Sequence, residues 1–156
     1  VLIASEHLRS DLGEMTFQKM TDLAIAQEGR ELAFSVPKRL ETDLYQCDWS
    51  ILKYTIEKVP GGTAHRLVRT FEDKPGPLAS CLLKDFRVRY VPPKGVGVPD
   101  EPIYAPTGIS PFQAYLEITL VGMGAPSGKQ TYTASLLHPL TFARMPPAYK
   151  LLVQEP

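Results

Sequence analysis

The side chains able to do chemistry in this 156-residue chain are few, and their spacing limits them. His7, His65 and His138 fall in three separate stretches. None is paired at i, i+4 and no carboxylate stands at ligand spacing, so they do not read as a zinc set. Cys47 and Cys81 lack the Cys-x-x-Cys spacing of metal or redox sites. No Gly-x-Ser-x-Gly elbow occurs and nothing local marks Cys47 as a nucleophile, so no catalytic residue is assigned. Gly124-Ala125-Pro126-Ser127-Gly128-Lys129 resembles a phosphate loop only in part. Met123 stands where the first glycine is needed and Gln130 where a Ser or Thr is needed. The loop also lies between alternating stretches, without the helix N-terminus that holds phosphate. Asp100 and Glu101 are an adjacent acidic pair. Loop carbonyls could complete a Ca2+ shell around them, so calcium is the one cofactor left open; the expectation otherwise is no cofactor and no metal.

Three further features stand outside any reactive constellation. Arg87 and Arg89 stand two apart, on one face of any strand that holds them, and can take an anion or a partner's carboxylates. Trp49 follows an irregular stretch and reads either as core or as a surface contact. Cys47 and Cys81 each precede a predicted strand, and a disulfide between them would stabilise by about 3–4 kcal/mol in the chain-entropy account.

Composition narrows the classes further. Lys plus Arg and Asp plus Glu each number 17, giving zero formal net charge. Such a chain is a poor general binder of nucleic acid or anionic membrane. A hydrophobic share of 44% with 22% charged residues is that of a folded domain. Fifteen prolines exclude a helical bundle and favour strands joined by stiff loops. No apolar run approaches the ~18 residues of a membrane span, and Val1-Leu2-Ile3-Ala4 is too short for a secretory signal. The chain begins without Met, which reads as a processed or trimmed form whose apolar start is the stump of a longer segment.

The elements that must position these residues follow from periodicity. Leu8, Leu12, Met15, Met20 and Leu23 predict a long helix over 5–27, capped by Ser5 and stopped at Gly29. Interior Gly13 costs that helix roughly 1 kcal/mol against Ala. After Gly29 the period becomes two. Strands are predicted at 32–36, 51–59, 65–71, 82–91, 113–123 and 131–137, with 51–71 a hairpin turning at Pro60-Gly61-Gly62-Thr63. Residues 38–48 read as charged and irregular. Residues 92–111 carry six prolines and read as a long surface loop of polyproline character. The expectation is α+β: one domain over 1–156, its long N-terminal helix packed on an antiparallel sheet. Leu8, Leu12, Met15 and Leu23 are then buried against Phe86, Val88, Leu116 and Ile118.

The order of these pieces resembles a known family. The helix with Leu8-Arg9-Ser10-Asp11-Leu12 leads to Glu31-Leu32-Ala33-Phe34-Ser35, then to the hairpin from Ile51-Leu52-Lys53-Tyr54-Thr55-Ile56 to Arg66-Leu67-Val68-Arg69. Leu82-Leu83-Lys84-Asp85-Phe86-Arg87-Val88-Arg89-Tyr90 and Ala114-Tyr115-Leu116-Glu117-Ile118-Thr119-Leu120 follow. Over roughly residues 8–137 this resembles the globular part of a type IV pilin-like protein, most of all a J-type minor pseudopilin of type II secretion or a related minor pilin. The family's apolar N-terminal segment has no counterpart in the chain, and residues 92–111 and the tail after 138 have none in the family.

The resemblance implies a structural assembly subunit at the tip of a pseudopilus or related filament, helping initiate assembly and protein export, with no reaction of its own. It implies an inner-membrane anchor through an N-terminal helix missing from the chain, and a periplasmic globular domain. Its partners would be other minor pseudopilins or pilin-like subunits in a heterotypic complex. The helix, with Leu2, Leu8, Leu12 and Met15, would supply the main surface and the Pro-rich loop a second. The alternative is an extracytoplasmic β-rich module that binds a glycan or peptide through Trp49 and the Pro-rich loop, and a third is an enzyme with a dispersed active site.

Overall fold

The computed structural model describes residues 2–15, 22–40, 43–92, 101–104, 115–123 and 131–140; within these, the side chains of residues 2, 38–40, 43–48 and 75–81 are not described. Helix α1 runs over Leu2–Glu14. The strands are β1 (Leu23–Ala26), β2 (Glu31–Leu40), β3 (Asp43–Lys58), β4 (His65–Phe71), β5 (Lys74–Val91), β6 (Tyr115–Met123) and β7 (Thr131–Pro139). Among the described residues these seven form one sheet in sequence order, β1 to β7, and every neighbouring pair is antiparallel.

The expected α+β fold with a long helix over 5–27 is therefore corrected: the described chain is chiefly an antiparallel meander carrying one short helix. The helix begins before Ser5, which is buried inside it rather than capping it. Its last turn tightens through the Met15 N–H donating to the Leu12 carbonyl at 3.2 Å, a bond that spans the poor helix former Gly13. Leu23 lies in β1 instead. There Leu23 is buried while Ala24 and Ala26 are exposed, the two-residue alternation of a strand. Leu23 continued the helical spacing only by coincidence with that shorter period.

Burial nonetheless gathers the expected residues. Leu8, Leu12, Met15 and Leu23 share one buried cluster with Phe86, Val88, Leu116 and Ile118, joined by Leu32, Phe34, Leu52, Tyr54 and Leu120. Helix α1 thus covers one face of the sheet. Alternation leaves the opposite, outer face to Lys53, Thr55, Arg66, Arg87, Arg89, Glu117 and Thr119. Of the region 38–48, expected to be irregular, residues 38–40 extend β2 and residues 43–48 extend β3, whose register runs from Glu31↔Thr55 to Leu40↔Asp43, while 41–42 lie outside the described residues. The expected hairpin over 51–71 is present, with Lys58↔His65 closing it and Gly61 at φ +79° in its turn.

A mismatch of strand length breaks the regularity of the sheet. β4 pairs with β5 only as far as His65↔Leu83. β5 continues to Val91 alongside β6. Past Leu83, the edge of β5 that β4 leaves is met by two short pieces. One is the turn Gln27–Gly29, where Gln27, Glu28 and Gly29 all have positive φ (51°, 53° and 86°). The other is the segment around Ile103, whose carbonyl accepts from the Tyr90 N–H at 2.8 Å.

Candidate functional site

Alternation sets the side chains on the outer face, and register brings those of two strands together. Arg87 lies opposite Thr119 and Arg89 opposite Glu117. With Val88, Pro102 and Tyr104 they line a cleft of about 340 Å³. β5 and β6 form its floor, and the 101–104 piece that borders the β5 edge forms its wall.

Each arginine is held in place. The Arg89 Nε and Nη2 donate to the Glu117 carboxylate at 3.1–3.3 Å. The Arg87 Nε donates to Asp85 Oδ2 at 2.9 Å, and its Nη1 to the Glu28 carbonyl at 2.8 Å. Asp85 also pairs with Arg30 at 3.4 Å, where Arg30 Nε and Asp85 Oδ1 are buried with no hydrogen-bond partner among the described residues. The hydrogen bond it donates to Asp85 holds the Arg87 guanidinium above its ordinary pKa, while burial works the other way. Two donors remain: Arg87 Nη2 and Arg89 Nη1 have no partner among the described residues. Such an arrangement can accept an oxyanion against an aromatic and proline wall.

Gly29 makes the wall possible. A Cβ there would stand 2.6 Å from the Val88 carbonyl oxygen and 2.9 Å from the Tyr104 ring. The left-handed turn can therefore press against β5 and present the Glu28 carbonyl to Arg87.

A second cluster fixes the helix. Asp11 on α1 accepts from the Tyr54 hydroxyl on β3 and from Arg69 on β4, through Nε at 2.8 Å and Nη2 at 3.0 Å. Tyr54 and Arg69 are direct cross-strand partners. The Arg69 guanidinium also lies over the Phe71 ring, 5.8 Å from its centroid. Burial, then the hydrogen bond to Asp11, raises the Tyr54 pKa well beyond the ordinary tyrosine value. The hydroxyl stays a donor, and the cluster acts as a clamp between helix and sheet.

The other anticipated residues are dispersed. Leu8, Leu12 and Met15 are buried in the domain's own core, and the Leu2 side chain lies outside the described residues. Cys47 is on β3 and Cys81 on β5; β4 lies between the two strands and the register does not set the cysteines opposite one another. Asp100 lies outside the described residues, as do 93–99 and 105–111 of the Pro-rich stretch and 124–130 of the glycine-containing loop, while Glu101 is exposed. Trp49 is 40% exposed on β3, beside Ile51 at 64%. His7 is on α1, His65 on β4 and His138 on β7. Among the described residues no group of three or more His, Cys, Asp or Glu is placed to hold a metal ion.

Arg87 and Arg89 were legible as a same-face pair, but Glu117, Thr119, Pro102 and Tyr104 were not joined to them. The available signal was charge: Arg89 and Glu117 sit at outward positions of consecutive alternating strands, where opposite charges pair across antiparallel neighbours. The clamp was missed too, although an arginine two residues from Leu67 and Phe71 on a core-facing line asks for a buried carboxylate.

Among the described residues no helix is long and apolar enough to cross a membrane. Comparison with protein-family models, curated proteins and solved structures gives no match to this chain.

Proposed function

We propose that the chain is a non-catalytic assembly subunit, a minor pseudopilin or minor pilin acting at the tip of a type II secretion pseudopilus or a related type IV filament. The supporting observation is the clamp of Asp11, Tyr54 and Arg69, which ties α1 to two strands of the sheet. A filament subunit transmits load between its helix and its globular part. A bidentate ion pair beneath a buried tyrosine resists sliding of a helix better than apolar contact alone, because its geometry is directional. In this reading an apolar segment preceding residue 1 anchors the subunit in the inner membrane, the globular domain stands in the periplasm, and the partners are other pilin-like subunits.

The surface for those partners is narrower than Leu2, Leu8, Leu12 and Met15 together. Leu8 and Leu12 are fully committed to the core, whereas Ile3 is 57% exposed on the first turn of α1. The test is co-purification with the products of adjacent pilin-like genes, together with the upstream coding sequence. A stable heterotypic complex, weakened by Ile3→Asp, supports the reading. Pilin-like neighbours that form no complex, combined with a specific glycan-array hit, would replace it with the binding-module alternative.

A further inference from the structure

The outer-face cleft is larger in consequence than its ion pairs require. Arg87 and Arg89 both line the cleft; each donates to a carboxylate of this chain and keeps one amino nitrogen without a partner among the described residues. Arg87 is further fixed by a main-chain carbonyl from a turn of three successive left-handed residues. Such backbone strain persists only where the surroundings impose it, and here it orients a guanidinium. The Thr119 hydroxyl stands within 3.5 Å of Ser135 Oγ on β7, carrying the polar floor across to the sheet's last strand. Directly across from Glu117, Leu137 on β7 is 53% exposed and faces the same way.

We propose that this cleft docks an extended acidic segment of a partner protein. One Asp or Glu carboxylate accepts from Arg87 Nη2 and Arg89 Nη1, and a nearby apolar side chain of the same segment lies on Leu137. From β5 to β7 is two strand spacings, roughly 10 Å, which is the span of a few extended residues rather than of one small acid. That span, and the match of two spare cationic donors to an anion, select a peptide over a free carboxylate. The identification of the partner as a neighbouring filament subunit rests on the reading above; the cleft chemistry does not.

The test uses the full chain and fluorescein-labelled peptides copied from the acidic segments of the adjacent-gene subunits, followed by anisotropy. Matched peptides carry Gln or Lys in place of the acidic residue, and sodium acetate serves as competitor. Binding of at least one acidic peptide is expected, weakened about tenfold by the Gln exchange and more by Lys, with acetate competing only at far higher concentration. Thr119→Glu places a carboxylate opposite Arg87 and should weaken binding at least tenfold, with the fold checked by circular dichroism; Leu137→Ser should weaken it severalfold. Acidic and Gln peptides binding equally, or no acidic peptide binding up to about 1 mM, overturns the proposal. A subunit complex that is indifferent to Thr119→Glu discards the cleft and leaves the assembly reading standing. Acidic-peptide binding without any subunit complex does the reverse.

Discussion

Replacing Gly29 by alanine tests how far the cleft depends on close backbone approach. At φ +86° an L-residue costs about 1–2 kcal/mol over glycine. The added Cβ also meets the Val88 carbonyl oxygen at 2.6 Å and the Tyr104 ring at 2.9 Å. The Tyr104 ring can swing away, but the Val88 oxygen belongs to the β5 backbone and cannot move without disturbing the strand. Overpacking of this kind adds about 1–3 kcal/mol. The total of about 2–5 kcal/mol lowers the melting temperature by roughly 5–15 °C for a chain of this size. Two other glycines separate the contributions. Gly61 shares the positive φ, at +79°, but an added methyl carbon there meets no atom within 4 Å, so Gly61→Ala isolates the backbone cost of about 1–2 kcal/mol. Gly13 lies in α1 with nothing within 4 Å, so Gly13→Ala should stabilise by up to about 1 kcal/mol. Thermal and urea unfolding of the three variants gives the comparison. If Gly29→Ala costs no more than Gly61→Ala, the turn is not pressed against β5 and the account of the cleft wall fails.

Three other outcomes are expected. Asp11→Ala leaves the buried Tyr54 hydroxyl and Arg69 without their acceptor and should cost about 1–3 kcal/mol in urea, tempered by the 33% exposure of Arg69; a double-mutant cycle with Arg69→Ala should be strongly non-additive. Burial pushes the Tyr90 hydroxyl up to about 12, so the folded chain keeps a proton that the unfolded chain releases above pH 10; stability is full below pH 10 and falls by about 2–3 kcal/mol by pH 12, with Tyr54 adding in the same direction, and Tyr90→Phe should flatten that slope in alkaline titration followed by tyrosinate absorbance. Leu8→Asp should unfold the domain because Leu8 has no exposed surface, whereas Ile3→Asp should leave the melting temperature within about 2 °C of the parent, and only a difference of that kind makes Ile3 a usable probe of partner binding.

How much of this could be read in advance differs by element. The strands with clean alternation, Phe86-Arg87-Val88-Arg89-Tyr90 and Leu116-Glu117-Ile118-Thr119-Leu120, were legible because each has one buried and one half-exposed face, the pattern a strand of period two imposes. The helix was overextended because Leu23 fits both a helical stripe and a strand that buries Leu23 and Ile25 against Phe34 and Leu32. Four residues cannot decide between periods; the pairing with β2 decided it. Residues 38–40 and 43–48 were misread because their charges hide two strand ends whose stability comes from register with one another. The cleft was half legible. Arg87 and Arg89 could be put on one face from their spacing alone, but Tyr104 reaches them through a bridge between Ile103 and Tyr90 that no local pattern announces.

The cleft and the left-handed turn have a common origin in the unequal lengths of β4 and β5. A strand edge left bare past Leu83 would expose main-chain donors and acceptors, the usual invitation to unwanted pairing. Two unrelated pieces of chain meet that edge instead: Gln27–Gly29 lies against Val88, and Ile103 accepts from Tyr90. Neither piece is a full strand, so neither extends the sheet's outer face. The step down from sheet to border leaves room beside Arg87 and Arg89, and Pro102 and Tyr104 wall it. Had β4 run as far as β5, a strand would fill that step, and the two arginines would face solvent on a flat sheet with neither the Glu28 carbonyl nor Tyr104 beside them. The cleft is thus a product of strand termination, and its arginines are oriented by the same contacts that cover the edge.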